Sequence, residues 1–247
     1  MLADGGRDAG QVIDRAFAAG VRSIITIGID IQTSRRALEF AKKNSGVFAA
    51  VGVHPHHAGE VNGKTLAELK EMARDERVVA YGEIGIDTVK DHAPLVVQEK
   101  AFISQLLLAR ELGLPVVVHN REAHAEIHGL LKQHGPLPAG GVIHCFSGDG
   151  EMALKFVELG FYISIPGVVT FNKAEMLQEA VRAVPLSALL IETDAPFLAP
   201  VPFRGKTNEP AYSLYTAQKI AELKGLSLDE VARATTANAA KLFGISV

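Results

Sequence analysis

A single cysteine, Cys145, stands among 247 residues. That excludes an intramolecular disulfide framework and fits a reducing cytoplasm. No window reaches about 18 consecutive apolar residues, so no membrane span is expected. Residues 2–10, LADGGRDAG, supply neither the basic n-region nor the apolar h-region of a signal peptide. Excess positive charge is missing too: the formal net charge is −3, which argues against coating nucleic acid through bulk charge. It does not exclude an enzyme whose metal ions and a few basic side chains hold phosphates locally. No G-x-G-x-x-G loop follows the first apolar run, and no repeat, low-complexity tract or linker divides the chain. Residues 1–247 are expected to form one domain.

What is present is an alternation of strand-like and helix-like stretches. Hydrophobic residues make up 48% and charged residues 21%, enough for a sizeable buried core. The length suits one α/β barrel, which typically needs roughly 250 residues. Apolar runs beginning near Ser23, Val47, Val78, Leu114, Gly141, Phe161 and Ala188 read as strands. Amphipathic stretches such as Gln11–Ala19, Gln32–Lys43, Val96–Leu112 and Ala123–His134 read as helices, with Gly and Pro at the joints. After a proline-rich loop to about Pro210, two or three more helices are expected, among them Ala211–Leu223 and Leu228–Ala234. Strands apolar on both faces, each followed by a helix, imply a parallel sheet with covered faces. An open doubly wound sheet competes. The missing phosphate loop, and polar residues leaving several non-adjacent strands, favour a barrel.

The central stretch is Val78–Asp87, VVAYGEIGID. Its first five residues read as a buried strand and Glu83 as an acid at the exit, with glycines that let backbone approach closely. A buried carboxylate is costly unless paired or metal-bound. His119, His144 and Asp194 stand at other strand exits, and imidazole with carboxylate suits Zn, Mn or Mg. A lone histidine at a strand end also fits a hydrogen-bonded rim residue. As a set, Glu83, His119, His144 and Asp194 point to a metal centre. Glu192 lies two residues before Asp194, hence on the same strand face. Arg121 fits a phosphate clamp and an exposed first-turn residue equally well. Arg204, Lys206 and Asn208 either touch substrate phosphates or line a solvated loop. Cys145 reads as a small buried hydrophobe, and His54, His56 and His57 as a loop histidine cluster.

The segments VGVHPH, GEIGID, VVVHNR, HCFSG, ETDAPFLAPVPFRGKTNEP and EVARATTANAAKLFG, in this order, resemble the TatD family of metal-dependent deoxyribonucleases. The resemblance runs from about Ala19 to Gly244. It implies a (β/α)8 TIM-type barrel, two divalent metal ions (Mg, Mn or Zn) and hydrolysis of DNA phosphodiesters, in some members from the 3′ end. It implies that Glu83 bridges the metals, that His119 and His144 hold one and that Asp194 holds the other. Asp194 and Glu83 would be the catalytic carboxylates, and His54, Arg121 and Arg204 the substrate-binding groups. The expected partner is DNA, single-stranded or at 3′ ends.

One departure stands out. The family opens with a strand carrying a His-x-His pair, and this chain has no histidine before His54. Seven strands are therefore expected, the first of the family's eight being absent, with Met1 an internal methionine or the gene shortened at its 5′ end; the alternative is a protein that does without that strand. The metal site that Asp194 belongs to is then expected to be weak. Two other functions compete. A non-catalytic relative would be favoured by drift at the four ligand positions, all of which are intact. A metal-dependent amidohydrolase acting on a small C–N substrate is disfavoured by the basic loop Arg204–Asn208.

Overall fold

Each apolar run becomes a strand, and the amphipathic run after it becomes a helix lying back across the sheet. The structure, a computed structural model, describes residues 8–90 and 92–246. Its strands are β1 (Ile24–Ile27), β2 (Val47–Val51), β3 (Val78–Asp87), β4 (Val116–Arg121), β5 (Gly141–Ile143), β6 (Phe161–Ile165) and β7 (Leu189–Ile191). They pair in chain order, all parallel, and curl into an open α/β barrel of the TIM type. Among the described residues β1 and β7 each have one neighbour, as expected for a seven-stranded version of the barrel. No helix of the described residues is long and apolar enough to cross a membrane.

The helices are α1 (Ala9–Ala18), α2 (Ile31–Lys43), α3 (Gly63–Met72), α4 (Leu95–Leu112), α5 (His124–His134), α6 (Gly150–Glu158), α7 (Glu175–Ala183), α8 (Ser213–Lys224) and α9 (Leu228–Phe243). Their limits follow local chemistry. Asp30 starts α2 and Ser227 starts α9 through capping boxes with Thr33 and Glu230. Gly113, Gly225 and Gly244 end α4, α8 and α9 in the left-handed conformation that glycine adopts without a Cβ penalty. The last helix runs to Phe243 rather than stopping near Ala234, because no breaker intervenes and its end has something to cover. Ala239, Leu242 and Phe243 pack against the inward residues Ala50, Ala80, Val117, Val142 and Leu190 and close the barrel floor.

The alternation of strand faces then predicts what stands at the opposite end. From the inward positions Val117, Val142 and Leu190, steps of two lead to His119, His144, Glu192 and Asp194. From Ala50 the same steps lead through Gly52 to His54. Strand β3 breaks the rule. Tyr81 pairs with Val116 and Ile84 with Val118, so β3 carries one extra residue there, a β-bulge. The bulge turns Glu83, three residues after inward Ala80, to the inside as well. Glu83 is thus not at a strand exit; β3 continues to Asp87 and is buried throughout.

Glycine makes this possible. Gly82 and Gly85 both have φ 151°, and a Cβ would sit 2.5 Å from Val117 O at Gly82 and 1.9 Å from His119 O at Gly85. Substituting Gly85→Ala is expected to cost about 3 kcal/mol or more, since neither backbone can yield. Gly129, within α5, is the contrast: a Cβ there would meet nothing within 4 Å. Gly129→Ala should stabilise by about 0.5–1 kcal/mol. Urea unfolding of the two variants beside the parent checks both signs.

Candidate metal centre

The strands and the loops that leave them gather ionisable side chains at the C-terminal mouth of the barrel. One donor atom each from His54, Glu83 and His119 lie within 4.8 Å of one another. His119 Nδ1 is 2.7 Å from Glu83 Oε1, and His54 Nε2 is 3.1 Å from His119 Nδ1. His144 Nε2 stands 3.9 Å from the same Glu83 oxygen. Asp194 is close enough to feel the charges of His144, Glu192 and Glu83. Arg121, exposed at the end of β4, and Arg204, in the loop after β7, form no ion pair among the described residues. The Arg204 guanidinium lies over the Phe171 ring, 4.6 Å from its centroid.

Two further carboxylates orient the imidazoles. Asp87, whose side chain is fully buried, accepts from His119 Nε2 at 3.2 Å and from His56 Nε2 at 2.9 Å. Its other oxygen accepts from the backbone N–H groups of Val89 and Lys90. Glu192 pairs with His144 Nδ1 and accepts from the backbone N–H of Cys145. His119 and His144 therefore each have one nitrogen tied to a carboxylate and the other turned towards Glu83, the usual outer support of metal-binding histidines. Asp87 did not stand out as a site residue in the sequence, and His56 only as part of a loop cluster. The signal for Asp87 is the period of two, since it follows Glu83 by four residues on one strand face. His57 leaves the cluster and pairs with Glu60.

Burial and neighbours set the charges. Burial alone would raise the Glu83 carboxyl, but His144, His119 and His54 hold it well below the usual carboxylate range. Asp87 is likewise lowered, its burial outweighed by bonds from His119, Lys90, His56 and Val89. Burial would lower His144, but Glu192 and Glu83 raise it to about 10. His119 is raised for the same reason by Asp87 and Glu83. Burial wins at His54, lowered to about 3, and at Asp194, raised to about 6. The Cys145 thiol is pushed well up by burial and by the nearby carboxylates Glu192, Asp194 and Glu83, although the residue is only part-buried rather than the buried hydrophobe expected.

These residues fit a divalent cation. The donors are imidazole and carboxylate, Glu192 Oε1 is buried without a partner among the described residues, and burial disfavours the Asp194 charge unless a positive charge arrives. The surrounding backbone is held under strain. The three non-glycine residues with positive φ among those described are Glu122, Cys145 and Leu198. They follow His119, His144 and Asp194 by one to four residues, and such conformations gather at functional sites.

A parallel barrel with carboxylate-oriented histidines at the strands' C-terminal ends defines the class: a metal-dependent hydrolase of the α/β-barrel type. The family model "TatD related DNase" matches residues 3–244, and the chain belongs to that family. It is 43% identical to the Bacillus subtilis protein named "uncharacterized metal-dependent hydrolase YabD", over 97% of this chain and 94% of the relative. It is 37% identical to the "3'-5' ssDNA/RNA exonuclease TatD" of Citrobacter rodentium, over 98% and 94% of the two chains. Among solved structures, the TatD homologue YJJV of Escherichia coli superposes with a TM-score of 0.92 at 33% identity, covering 98% of this chain and 95% of that one.

The metal-free protein should show a distinctive pH dependence of stability. His144 titrates near 6.5 when unfolded and near 10 when folded, so its contribution is full below about pH 6.5 and is lost as pH rises towards 10. In chelator, Tm is expected to fall between pH 7 and 10. Glu192→Gln, which removes the largest cause of that raised pKa, should flatten the fall. An unchanged slope in the variant would remove Glu192 as its source.

Proposed function

We propose that this chain hydrolyses phosphodiester bonds in DNA, acting at 3′ ends of single strands as a TatD-type deoxyribonuclease. The observation that carries the proposal is the convergence of His54, Glu83 and His119 donor atoms within 4.8 Å, with His144 beside them. The name of the Citrobacter rodentium relative, an exonuclease of single-stranded DNA and RNA, supports the substrate class. Arg121 and Arg204, cations without carboxylate partners among the described residues, suit a phosphate better than a neutral amide.

Glu83, His119, His144 and Asp194 would hold the metal, with His54 at hydrogen-bond distance from His119. A divalent ion there supplies Lewis acidity, activating water near neutral pH and offsetting charge on the phosphoryl oxygens. The protein's own groups do the rest. Asp87 and Glu192 keep the imidazole nitrogens facing Glu83. Asp194, with its carboxyl raised to about 6, is poised to accept the proton of the attacking water. Water would add to phosphorus as Asp194 takes its proton, the P–O bond to the leaving oxygen would break, that alkoxide would take a proton from solvent water, and Arg121 and Arg204 would hold the non-bridging oxygens. His54, lowered to about 3, stays neutral; its Nδ1 accepts from the His56 N–H, so Nε2 faces the site as a donor suited to a phosphoryl oxygen.

Elemental analysis after reconstitution with Mn or Zn and desalting should find one tightly held ion per chain, with the Asp194 side filled only at higher metal concentration. Glu83→Ala is expected to remove bound metal and to cut cleavage of a 3′-labelled single-stranded oligonucleotide at least about 10³-fold. A metal-replete, active Glu83→Ala protein would refute the central role of this carboxylate. Inorganic phosphate should compete with substrate, and a lack of competition would favour amide hydrolysis.

A further inference from the structure

The loop between β7 and α8 carries a group of exposed apolar side chains beside the metal centre. Phe197 is 62% exposed, Val201 44% and Leu198 43%. Phe197 follows Asp194 by three residues and closes a turn on it, its N–H donating to the Asp194 carbonyl at 2.6 Å. The loop is fixed rather than loose. Buried Asn208 donates through Nδ2 to the Phe197 carbonyl at 2.7 Å, and its own N–H donates to the Pro196 carbonyl at 3.0 Å. Leu198 holds a positive φ of 54°, costly for a branched aliphatic residue, so the backbone under Phe197 is set at the expense of stability.

The other aromatics of this region are occupied. Phe203 stacks on Tyr212 with centroids 4.1 Å apart and meets Tyr215 edge-on, while Phe171 is covered by Arg204. Phe197 has no ring or cation partner among the described residues. The loop that carries it also carries two cations. Arg204 and Lys206 are exposed on the same loop, and the Lys206 ammonium sits 5.9 Å from the Phe203 centroid. In a chain of net charge −3 the loop thus offers two exposed cations and one aromatic ring without a ring or cation partner among the described residues. Grooves that bind single-stranded nucleic acid combine those two features, cations along the backbone and an aromatic on which a base stacks.

We propose that Phe197 is a stacking platform for a nucleobase of the single strand held at the metal centre, with Arg204 and Lys206 contacting that strand's phosphates. The inference rests on the phosphodiesterase reading and adds to it a subsite that selects an unpaired base over a duplex, whose bases are already stacked on one another.

The test uses the full chain with Phe197→Ala and Phe197→Trp variants, each checked for an unchanged Tm. Affinity is measured by fluorescence anisotropy, in chelator to prevent cleavage, for a labelled oligothymidine and an abasic oligonucleotide of equal length. The parent should prefer the oligothymidine about tenfold or more. Phe197→Ala should lose that preference and Phe197→Trp keep it. Equal affinity of the parent for both oligonucleotides overturns the platform and leaves the patch to a protein partner, and so does a Phe197→Ala protein that retains the preference. Hydrolysis of bis(p-nitrophenyl) phosphate by the Mn-loaded parent, a substrate without a nucleobase, tests the phosphodiesterase reading separately. A base preference without that hydrolysis sinks the enzyme and keeps the subsite.

Discussion

Alternate residues of a strand face opposite sides of a sheet, and Glu83 stands where that alternation would turn it outward. Ala80 faces the barrel interior, and Ile84 belongs to the layer between sheet and helices. In a regular strand Glu83, an odd step from Ala80, would enter that apolar layer as an unpaired carboxylate, at a cost of several kcal/mol. The extra residue of β3 between Tyr81 and Ile84 reverses its side. Gly82 and Gly85 are then required because the bulged strand runs against the carbonyls of Val117 and His119. The Gly-Glu-Ile-Gly pattern is thus a backbone device first, and the position of the acid follows from it.

With Glu83 turned inward, the other charges arrange themselves around it. Glu83 lies within 4 Å of imidazole nitrogens from His54, His119 and His144. Asp87 and Glu192 stand behind two of those rings. Buried carboxylates raise both His119 and His144, the latter to about 10, so a cation entering the site competes with a proton on His144 rather than filling an apolar void. Arg15 of α1 meanwhile holds buried Glu209 through two nitrogens, which ties the start of the described chain to the loop that follows Asp194.

The strand count, the parallel order and the family were legible because each rests on apolar runs, glycine stops and short motifs. His119, His144 and Asp194 were legible as polar residues ending such runs. Glu83 was singled out for its chemistry but put at a strand exit, since a bulge leaves no mark on hydrophobic periodicity. Asp87 and Glu192 were harder, because a carboxylate that orients a histidine has the same composition signature as one on the surface. Only the register, Gly85 opposite His119 and Asp87 opposite Arg121, brings Asp87 to the far side of the imidazole. The length of α9 was missed because the floor it covers comes from five strands distant in sequence.

Three of the segments that carry the site are clamped by buried side-chain amides. Gln105 of α4 accepts from the Val53 N–H and donates to the Val53 carbonyl, fixing the residue before His54. Gln98, two helical turns earlier, does the same to Asp87. Asn208 accepts from the Glu209 N–H and donates to the Phe197 carbonyl. All three side chains are buried. An amide offers both a donor and an acceptor, so one side chain satisfies two backbone groups that leave the sheet. A lysine or glutamate could hold either group, but its charge in a low-dielectric surrounding would shift the neighbouring imidazoles and carboxylates. Neutral clamps let the backbone be fixed and the charges of the cluster be set independently, which a centre built from closely spaced ionisable groups requires.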